Sequence, residues 1–396
     1  MAPSLRTVHS LSRSFPATAL TRLLNIGRPI IQAPMSPISP PSLVAATSNA
    51  GGLGSIAAAR MTPDQLTADL AEVRRLTKRP FAVNLFVPKD GGRYTDEQVR
   101  HVRDTLATRV HPNVEPTDSD SLPPPPPPAW SAAAFSQSVA RFERQVEAML
   151  AADAPVFSWT FGIPSLDILQ QCRRRGVVTL GTATTPADAA ALLATRLVDG
   201  IVVQGAEAGG HRGTFSTSDT DTIQRATIGL FALLPLIRQL DPSIPLIAAG
   251  GLMRGSQLAA ALLLGADGAQ CGTRFLTAAE ATLTPAAHRT LLLGAGEQLA
   301  AGHYRDTLLT RTFSGRAARG FHNEMVEAFD ERSAPLTPLP WEVQSSQVQP
   351  YVKAAVRRGD IRFMQMWAGQ AYPMCDDKSA ADIIEEIVGE AKAVLG

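Results

Sequence analysis

Short apolar runs recur along the chain and alternate with stretches of helical character. Eight such runs are rich in β-type residues, and none shows the strict apolar–polar alternation of a half-exposed strand. The runs are Pro29–Ala33, Gly52–Ala57, Phe81–Phe86, Val156–Thr160, Val177–Thr182, Gly200–Gln204, Pro245–Ala249 and Gly268–Gly272. Strands of this kind that are joined by helices predict a parallel sheet buried on both faces.

The segments between these runs carry the start signals of helices. From Thr62 to Gln65, the threonine can cap a helix, the following proline suits the first turn, and the glutamine completes a capping box. The stretch from Thr185 to Asp188 has a similar composition. Eight strand–helix units close most naturally into a ring, so the predicted fold class is α/β with a (β/α)8 TIM-type barrel. An open, doubly wound parallel sheet is the alternative.

The chain is predicted to divide into an amino-terminal extension, a barrel and a carboxyl-terminal appendage. Residues 1–25 contain arginines among serines, and no acidic residue occurs before Asp64, which is typical of a disordered extension or a targeting segment. The barrel is expected to span residues 26–280. Residues 281–396 are mainly helical in pattern, with a loop-like break from Ser333 to Pro350, and are expected to pack on the barrel.

A polar insert at residues 88–130 interrupts the barrel after the third strand. It contains six consecutive prolines at positions 123–128, which favour a polyproline II conformation. Because no basic anchors flank these prolines, the insert is interpreted as a surface excursion between strand and helix. Docking of an SH3-like partner is the alternative.

The composition limits the classes of function. With 45% hydrophobic and 18% charged residues, the 396-residue chain is globular rather than fibrous or disordered. Its 37 lysines and arginines face 36 acidic residues and form no basic stripe, so no nucleic-acid partner is expected. Residues 29–59 carry no charge, but prolines and glycines interrupt them too often for a membrane-spanning helix.

The three cysteines, Cys172, Cys271 and Cys375, are odd in number and widely spaced. Their spacing predicts neither a disulfide framework nor a metal clip, so no metal is expected. A reducing compartment fits best, and the cytoplasm is the expected location. The mitochondrial matrix is the alternative that the basic amino terminus suggests.

Glycines follow the last two predicted strands. Gly250 and Gly251 come after the seventh strand, and Gly272 and Thr273 follow the eighth. Barrels commonly place a phosphate site at these two loops, where glycines let backbone N–H groups approach an anion. The pattern therefore predicts a phosphorylated ligand, with ligand-free tight turns as the alternative.

His211 lies in a glycine-rich loop after the sixth predicted strand, four residues after Glu207. The neighbouring glycines leave room for a ligand beside the imidazole, so His211 is a candidate general base. A surface histidine is the alternative. The sequence has no Rossmann, P-loop, zincin or nucleophile-elbow motif, so the chemistry associated with those motifs lacks support.

The motifs taken together resemble those of the nitronate monooxygenases, formerly called 2-nitropropane dioxygenases. The resemblance covers about residues 25–372 and is carried by several segments in the same order. They are Gln32–Met35, Gly51–Gly54, Phe81–Phe86, Phe161–Pro164, Gly181–Thr185, Gln204–Gly213, Ala248–Gly251, Gly265–Gly268, Gln270–Phe275, Phe313–Gly320 and Trp367–Gln370. The basic amino terminus and the length of the proline insert depart from the family pattern.

The resemblance implies an FMN-dependent barrel enzyme in which His211 is the catalytic base. It further implies that nine positions contact the FMN. These positions are Met35, Asn84, Gln204, Gly209, Gly251, Gln270, Cys271, Gly272 and Thr273. They include Gly251 and Gly272, two of the glycines that independently predict a phosphate site.

The activity implied by the resemblance is oxidation of alkyl nitronates by O2 to carbonyl compounds and nitrite. A neutral nitroalkane would first lose its α-proton to His211. The expected partners are therefore a small nitronate or nitroalkane and O2, and the oligomeric state is left open. One alternative is an FMN-dependent NAD(P)H enoyl or quinone reductase on the same barrel. The other is a non-catalytic flavin-binding role in which the proline insert is a docking arm.

Overall fold

The computed structural model describes residues 15–89, 94–116, 132–215, 227–329 and 338–396. All eight predicted runs form strands, and three further short strands lie within the described ranges. The strands are β1 (Ile30–Gln32), β2 (Gly54–Ala57), β3 (Phe81–Phe86), β4 (Val156–Thr160), β5 (Val178–Ala183), β6 (Gly200–Gln204), β7 (Gly210–His211), β8 (Leu246–Ala249), β9 (Gly268–Cys271), β10 (Thr307–Thr310) and β11 (Ala318–Phe321).

Eight of these strands form one parallel sheet whose two edges meet. The hydrogen-bonded order is β1-β9-β8-β6-β5-β4-β3-β2. A parallel bridge between Ile31 and Leu53 joins the edges, because the Gln32 amide donates to the Leu53 carbonyl and the Leu53 amide donates to the Ile30 carbonyl, both at 2.9 Å. The ring therefore leaves no long open edge, which confirms the predicted TIM-type barrel over the open sheet.

Helices alternate with the barrel strands as predicted, and further helices lie in the appendage. They are α1 (Ala19–Leu24), α2 (Pro41–Asn49), α3 (Pro63–Leu76), α4 (Asp96–Thr105), α5 (Ala132–Ala151), α6 (Leu166–Arg174), α7 (Pro186–Ala194), α8 (Leu230–Arg238), α9 (Gly255–Leu263), α10 (Ala286–Ala300), α11 (Glu324–Ala328), α12 (Trp341–Arg358) and α13 (Ala380–Leu395). Both predicted helix starts are confirmed, and each carries a capping box. Thr62 Oγ1 accepts from the Gln65 amide at 3.2 Å, and Thr185 Oγ1 accepts from the Asp188 amide at 3.1 Å.

Residues 15–25, which the sequence assigns to a disordered or targeting extension, are ordered in the structure, and a targeting role for the amino terminus stays a prediction. Phe15 is buried, and α1 buries Leu20 and Leu24 in one apolar cluster with strand residues such as Ile31 and Val202. The two leucines lie one helical turn apart, so they share one face of α1 and cover the amino-terminal end of the barrel. Residues 1–14, which carry most of the predicted targeting signal, lie outside the described residues.

The carboxyl-terminal segment differs from its prediction in one element. The expected loop-like break from Ser333 to Pro350 is wrong from Trp341 onward, because α12 runs through Pro350. A proline inside a helix removes one hydrogen bond, but Val348, Tyr351 and Val352 around it are all buried. Packing of this apolar face therefore outweighs the local cost of the proline.

The last helix belongs to the outer layer of helices that surrounds the barrel strands. In α13, residues Ile383, Ile387 and Val388 pack in the same apolar cluster as the barrel strands. A Cβ at Gly255 would lie 2.3 Å from the Ile387 carbonyl oxygen, so α9 and α13 touch backbone to backbone. The predicted division at residue 280 assigns this helix to the appendage, whereas structurally the appendage is an excursion between the last barrel strand and the last barrel helix.

Within the described ranges, no helix is both long enough and apolar enough to span a bilayer. The polyproline run at 123–128 falls outside the described residues, so the interpretation of the insert stays a prediction.

Replacing Leu20 with alanine should lower the free energy of unfolding by about 2–5 kcal/mol, because the leucine is fully buried at the barrel end. Urea denaturation followed by circular dichroism measures the change. Arg22→Ala on the exposed face of α1 is the matched control and should change stability by about 0.5 kcal/mol or less. Equal, small effects of the two substitutions would contradict a sealing role for α1.

Candidate active site

The carboxyl ends of β6, β8 and β9 open onto a shared cleft. Barrels of this type carry their reactive groups at this end of the strands. The cleft is lined by Ala33, Gln204, Ala208, Gly209, Ala249, Gly250, Gly251, Leu252, Met253, Gln270, Cys271, Gly272, Thr273, Gly369, Ala371 and Tyr372. Seven of the nine positions with predicted cofactor contacts are therefore brought together, and their role stays a prediction.

Three glycines give this cleft its backbone donors. The amides of Gly209, Gly251 and Gly272 donate to no protein acceptor in the described part of the chain. Gly251 has a φ of +68°, a conformation that side chains disfavour. A Cβ at Gly209 would lie 2.6 Å from the carbonyl carbon of Ala368, so a close backbone approach also requires glycine there. Unpaired N–H groups on glycine loops are the donor set that suits a phosphate.

Met35 and Asn84 lie outside the lining of the cleft. Met35 borders it, because its sulfur would lie 3.8 Å from a Cβ at Gly272. Asn84 is buried on β3, where its Nδ2 donates to Ser158 Oγ at 3.0 Å. The structure therefore places these two predicted residues beside the cleft and in the barrel interior, respectively.

Cys271 and Thr273 already have defined environments in the protein. Burial raises the pKa of the Cys271 thiol to about 12, so at neutral pH the thiol is protonated and is not a nucleophile. Thr273 Oγ1 accepts from the Gly369 amide at 3.0 Å and ties the cleft to the appendage. In the described ranges, no group of three or more His, Cys, Asp or Glu side chains could hold a metal ion.

His211 is held beside the cleft by the appendage. It belongs to β7, which pairs antiparallel with β11, so that His211 lies opposite Ala318. Gln204 fixes the loop from the barrel side, since its Nε2 donates to the His211 carbonyl at 3.0 Å and its Oε1 accepts from the Gly213 amide at 2.8 Å. Gln204, predicted as a cofactor contact, thus also positions the histidine loop.

Two buried arginines brace the same loop. Arg212 Nη2 donates to the Gln204 carbonyl at 2.8 Å, and Arg319 Nε donates to the Ala206 carbonyl at 2.9 Å. Burial lowers the pKa of Arg212 to about 10, which leaves it protonated at neutral pH. The backbone carbonyls of the loop are therefore satisfied by charged donors, which are stronger than neutral ones.

The hydrogen-bond partner of the His211 ring comes from the appendage. Nε2 of His211 lies 2.9 Å from Ser314 Oγ. Glu207, four residues before the histidine, instead accepts from the Leu230 amide at the start of α8 at 2.9 Å. Sequence reasoning missed Ser314 as the partner, although the serine lies in one of the segments that carry the family resemblance.

The ring of His211 lies among four aromatic side chains. Its centroid is 4.8 Å from that of Trp341, 5.6 Å from that of Trp367, and 6.2 Å from those of Phe86 and Phe161. Burial in this enclosure is the main cause that lowers the pKa of His211 to about 3, and the positive charges of two arginines contribute to the same shift. The imidazole is therefore neutral throughout the physiological pH range.

The two arginines whose positive charges lower the pKa of His211 are Arg60 and Arg316. Arg60 follows β2 and has its Cζ 5.3 Å from the centre of the Trp341 ring. Arg316 follows Ser314 and has its Cζ 3.7 Å from the centre of the Phe161 ring. Neither residue is among the positions predicted to form the site, because both are far from His211 in the sequence.

These features define the class of the protein as a TIM-type barrel enzyme with its site at the carboxyl ends of the strands. The sequence profile of the family described as "Nitronate monooxygenase" matches residues 17–390. A Staphylococcus haemolyticus protein named "Probable nitronate monooxygenase" is 35% identical over 380 residues, which cover 95% of this chain and 97% of that protein. The chain belongs to the nitronate monooxygenase family and is an oxidoreductase.

Solved structures agree with this assignment. The crystal structure of a nitroalkane oxidase from Streptomyces ansochromogenes is similar with a TM-score of 0.79 and 34% identity, over 96% of this chain and all of the other. FabK from Thermotoga maritima has a TM-score of 0.69 at 24% identity, over 96% of this chain and 97% of that one, which shows the fold alone. The nitronate monooxygenase family consists in general of flavin enzymes, so flavin binding is implied by membership.

Gly272→Leu should abolish flavin retention, because a long side chain would fill the cleft beside Ala33 and Met35. Gly272→Ala is the matched control and should retain flavin, since its Cβ would lie 3.5 Å from that of Ala33, an ordinary contact distance. Flavin absorbance per protein after gel filtration measures retention, and circular dichroism confirms folding. A folded, fully yellow leucine variant would place the flavin elsewhere.

Proposed function

We propose that this chain is an FMN-dependent enzyme that oxidises alkyl nitronates with O2 to carbonyl compounds and nitrite. The observation that carries the proposal is the neutral, enclosed imidazole of His211 directly beside a cleft with unpaired backbone donors. Gln204 links the two, because it lines the cleft and hydrogen-bonds the His211 carbonyl. Family membership supports oxidation of nitro compounds, and the finer chemistry is our proposal.

FMN fits the donor set of the cleft. The amides of Gly251 and Gly272 are placed to hold its single phosphate, and Gly209 adds a third donor. Met35, Gln270, Cys271 and Thr273 would border the cofactor, with Asn84 and Gln204 behind it. Bound FMN would supply the redox chemistry by accepting an electron from the nitronate.

His211 has one nitrogen available for substrate. We assign the single proton of the Ser314 hydroxyl to the Arg316 carbonyl, 3.3 Å away, so that in this proposal the hydroxyl accepts from the Nε2–H of His211. Nδ1 is then the nitrogen that carries the lone pair, and we assign it the proton of a neutral nitroalkane. With a pKa of about 3 this imidazole is a weak base, which favours preformed nitronates as substrates.

The purified protein should be yellow, and heat or acid should release FMN, which chromatography distinguishes from FAD. Adding a nitronate should consume O2 and produce nitrite without any pyridine nucleotide. An NAD(P)H-dependent enoyl or quinone reductase would instead oxidise NADH anaerobically with a dye acceptor. Oxygen uptake and NADH absorbance measured on one preparation separate the two functions. No oxygen uptake and no NADH oxidation would favour a non-catalytic flavin protein.

His211→Asn should retain FMN and lose about 10²-fold or more in activity on a neutral nitroalkane, while activity on the preformed nitronate should fall much less. The reason is that only the neutral substrate has a proton to remove. The measurement is oxygen uptake on both forms of one compound. His303→Asn is the control, because His303 is exposed in the appendage. An equal loss on both substrates would make His211 a binding residue instead of a base.

A further inference from the structure

Arg316 is positioned rigidly at the wall of the aromatic enclosure around His211. The preceding Gly315 has a φ of +75°, and a Cβ there would lie 2.1 Å from the Leu339 carbonyl oxygen. The turn that presents Arg316 is therefore fixed by a backbone contact. The guanidinium then stacks on the face of Phe161, with 3.7 Å between Cζ and the ring centre.

Part of this guanidinium has no partner among the residues that the structure describes. Nη2 of Arg316 is buried and makes no hydrogen bond to any of them. A buried charged donor that is left unpaired costs free energy, so such a group in a native structure calls for an explanation. The burial that lowers its pKa to about 10 still leaves the guanidinium protonated at neutral pH.

The surroundings of Arg316 are positively charged. Arg60, like Arg316, lowers the pKa of His211, and Arg316 also helps to lower the pKa of Lys89. Asp188 raises the pKa of Lys89, but the Oδ2 of this carboxylate already accepts from the amides of Thr184 and Thr185. The wall beside His211 is thus cationic and aromatic, and a cationic wall favours an anionic guest.

The geometry of the Arg316 guanidinium favours one kind of anion as its binding partner. Its N–H groups form a planar fork that matches two oxygens on one atom, as in a carboxylate. A nitronate carries its negative charge on two oxygens bound to one nitrogen, whereas a neutral nitroalkane has no net charge. A charged donor therefore discriminates between these two forms of the same compound.

We propose that Arg316 binds the two oxygens of the nitronate and sets the preference of the site for the anionic substrate over the neutral nitroalkane. The inference rests on the proposed function and assigns a specificity-determining residue to it. Arg60 reinforces the positive potential but already has a partner, since its Nη2 lies 3.4 Å from Ser345 Oγ.

The test uses the flavin-loaded full chain with Arg316→Gln, which removes the charge, and Arg316→Lys, which keeps it. In the glutamine variant, kcat/KM for the nitronate should fall about 10- to 100-fold, as expected for loss of a hydrogen bond to a charged group, and mainly through KM. The kcat/KM for the neutral nitroalkane should fall less than about threefold. The lysine variant should recover part of the loss.

A binding measurement that needs no turnover accompanies the kinetics. Butyrate, an unreactive anion with two oxygens on one carbon, is titrated into each holoenzyme by calorimetry. Its affinity should fall in Arg316→Gln in parallel with the nitronate kcat/KM. Arg305→Gln is the matched control, because Arg305 also lies over a phenylalanine, at 6.0 Å from Phe321, but is exposed and bonded to the His322 carbonyl. It should change neither quantity.

Three results would overturn the proposal. Equal losses on nitronate and nitroalkane would give Arg316 a general structural role. Loss of flavin or a shifted flavin spectrum with unchanged butyrate affinity would assign Arg316 to the cofactor. Wild-type affinity for butyrate in both variants would remove it from anion binding. If the wild type consumes no O2 with nitronate, the proposed function fails, and the butyrate titration still decides whether Arg316 forms an anion site.

Discussion

The pairing of β7 with β11 is the interaction on which the rest of the site depends. It joins only two residues of the barrel loop, Gly210 and His211, to the appendage, and the Arg212 amide extends it to the Ala317 carbonyl at 2.9 Å. This short ladder sets His211 next to Ser314 and close to Arg316. Without it, the histidine would lie in a glycine-rich loop with many accessible conformations and no fixed partner.

The appendage is placed accurately because it is held at several points. The Gln370 amide donates to the Glu207 carbonyl at 3.0 Å, and Gly369 approaches the same loop so closely that a Cβ would lie 2.8 Å from that oxygen. Trp341 and Trp367 then cover the imidazole from the appendage side. Two of the four aromatic side chains around His211 therefore come from the excursion between β9 and α13. The barrel supplies the cofactor cleft, and the excursion supplies the enclosure.

The sequence predicted those features that are encoded locally. Apolar runs marked the eight strands, Thr62 and Thr185 marked helix starts, and glycines marked the cleft, because each signal depends on neighbours within a few residues. What it did not predict depends on long-range contacts. The 2.9 Å contact between His211 and Ser314 joins positions 103 residues apart, and burial, which lowers the histidine pKa, is set by the whole enclosure. Likewise, α1 buries Leu20 and Leu24 against barrel residues that are distant in the sequence.

The position of α13 has a consequence for biosynthesis. The groove between α2 and α9 receives Ile383, Ile384 and Ile387, but the ribosome makes these residues only after the entire excursion has been synthesised. Until then the nascent barrel presents an uncovered apolar groove, a surface that favours aggregation and chaperone capture. The barrel wall therefore cannot be completed before the excursion that carries Trp341 and Trp367 has been synthesised.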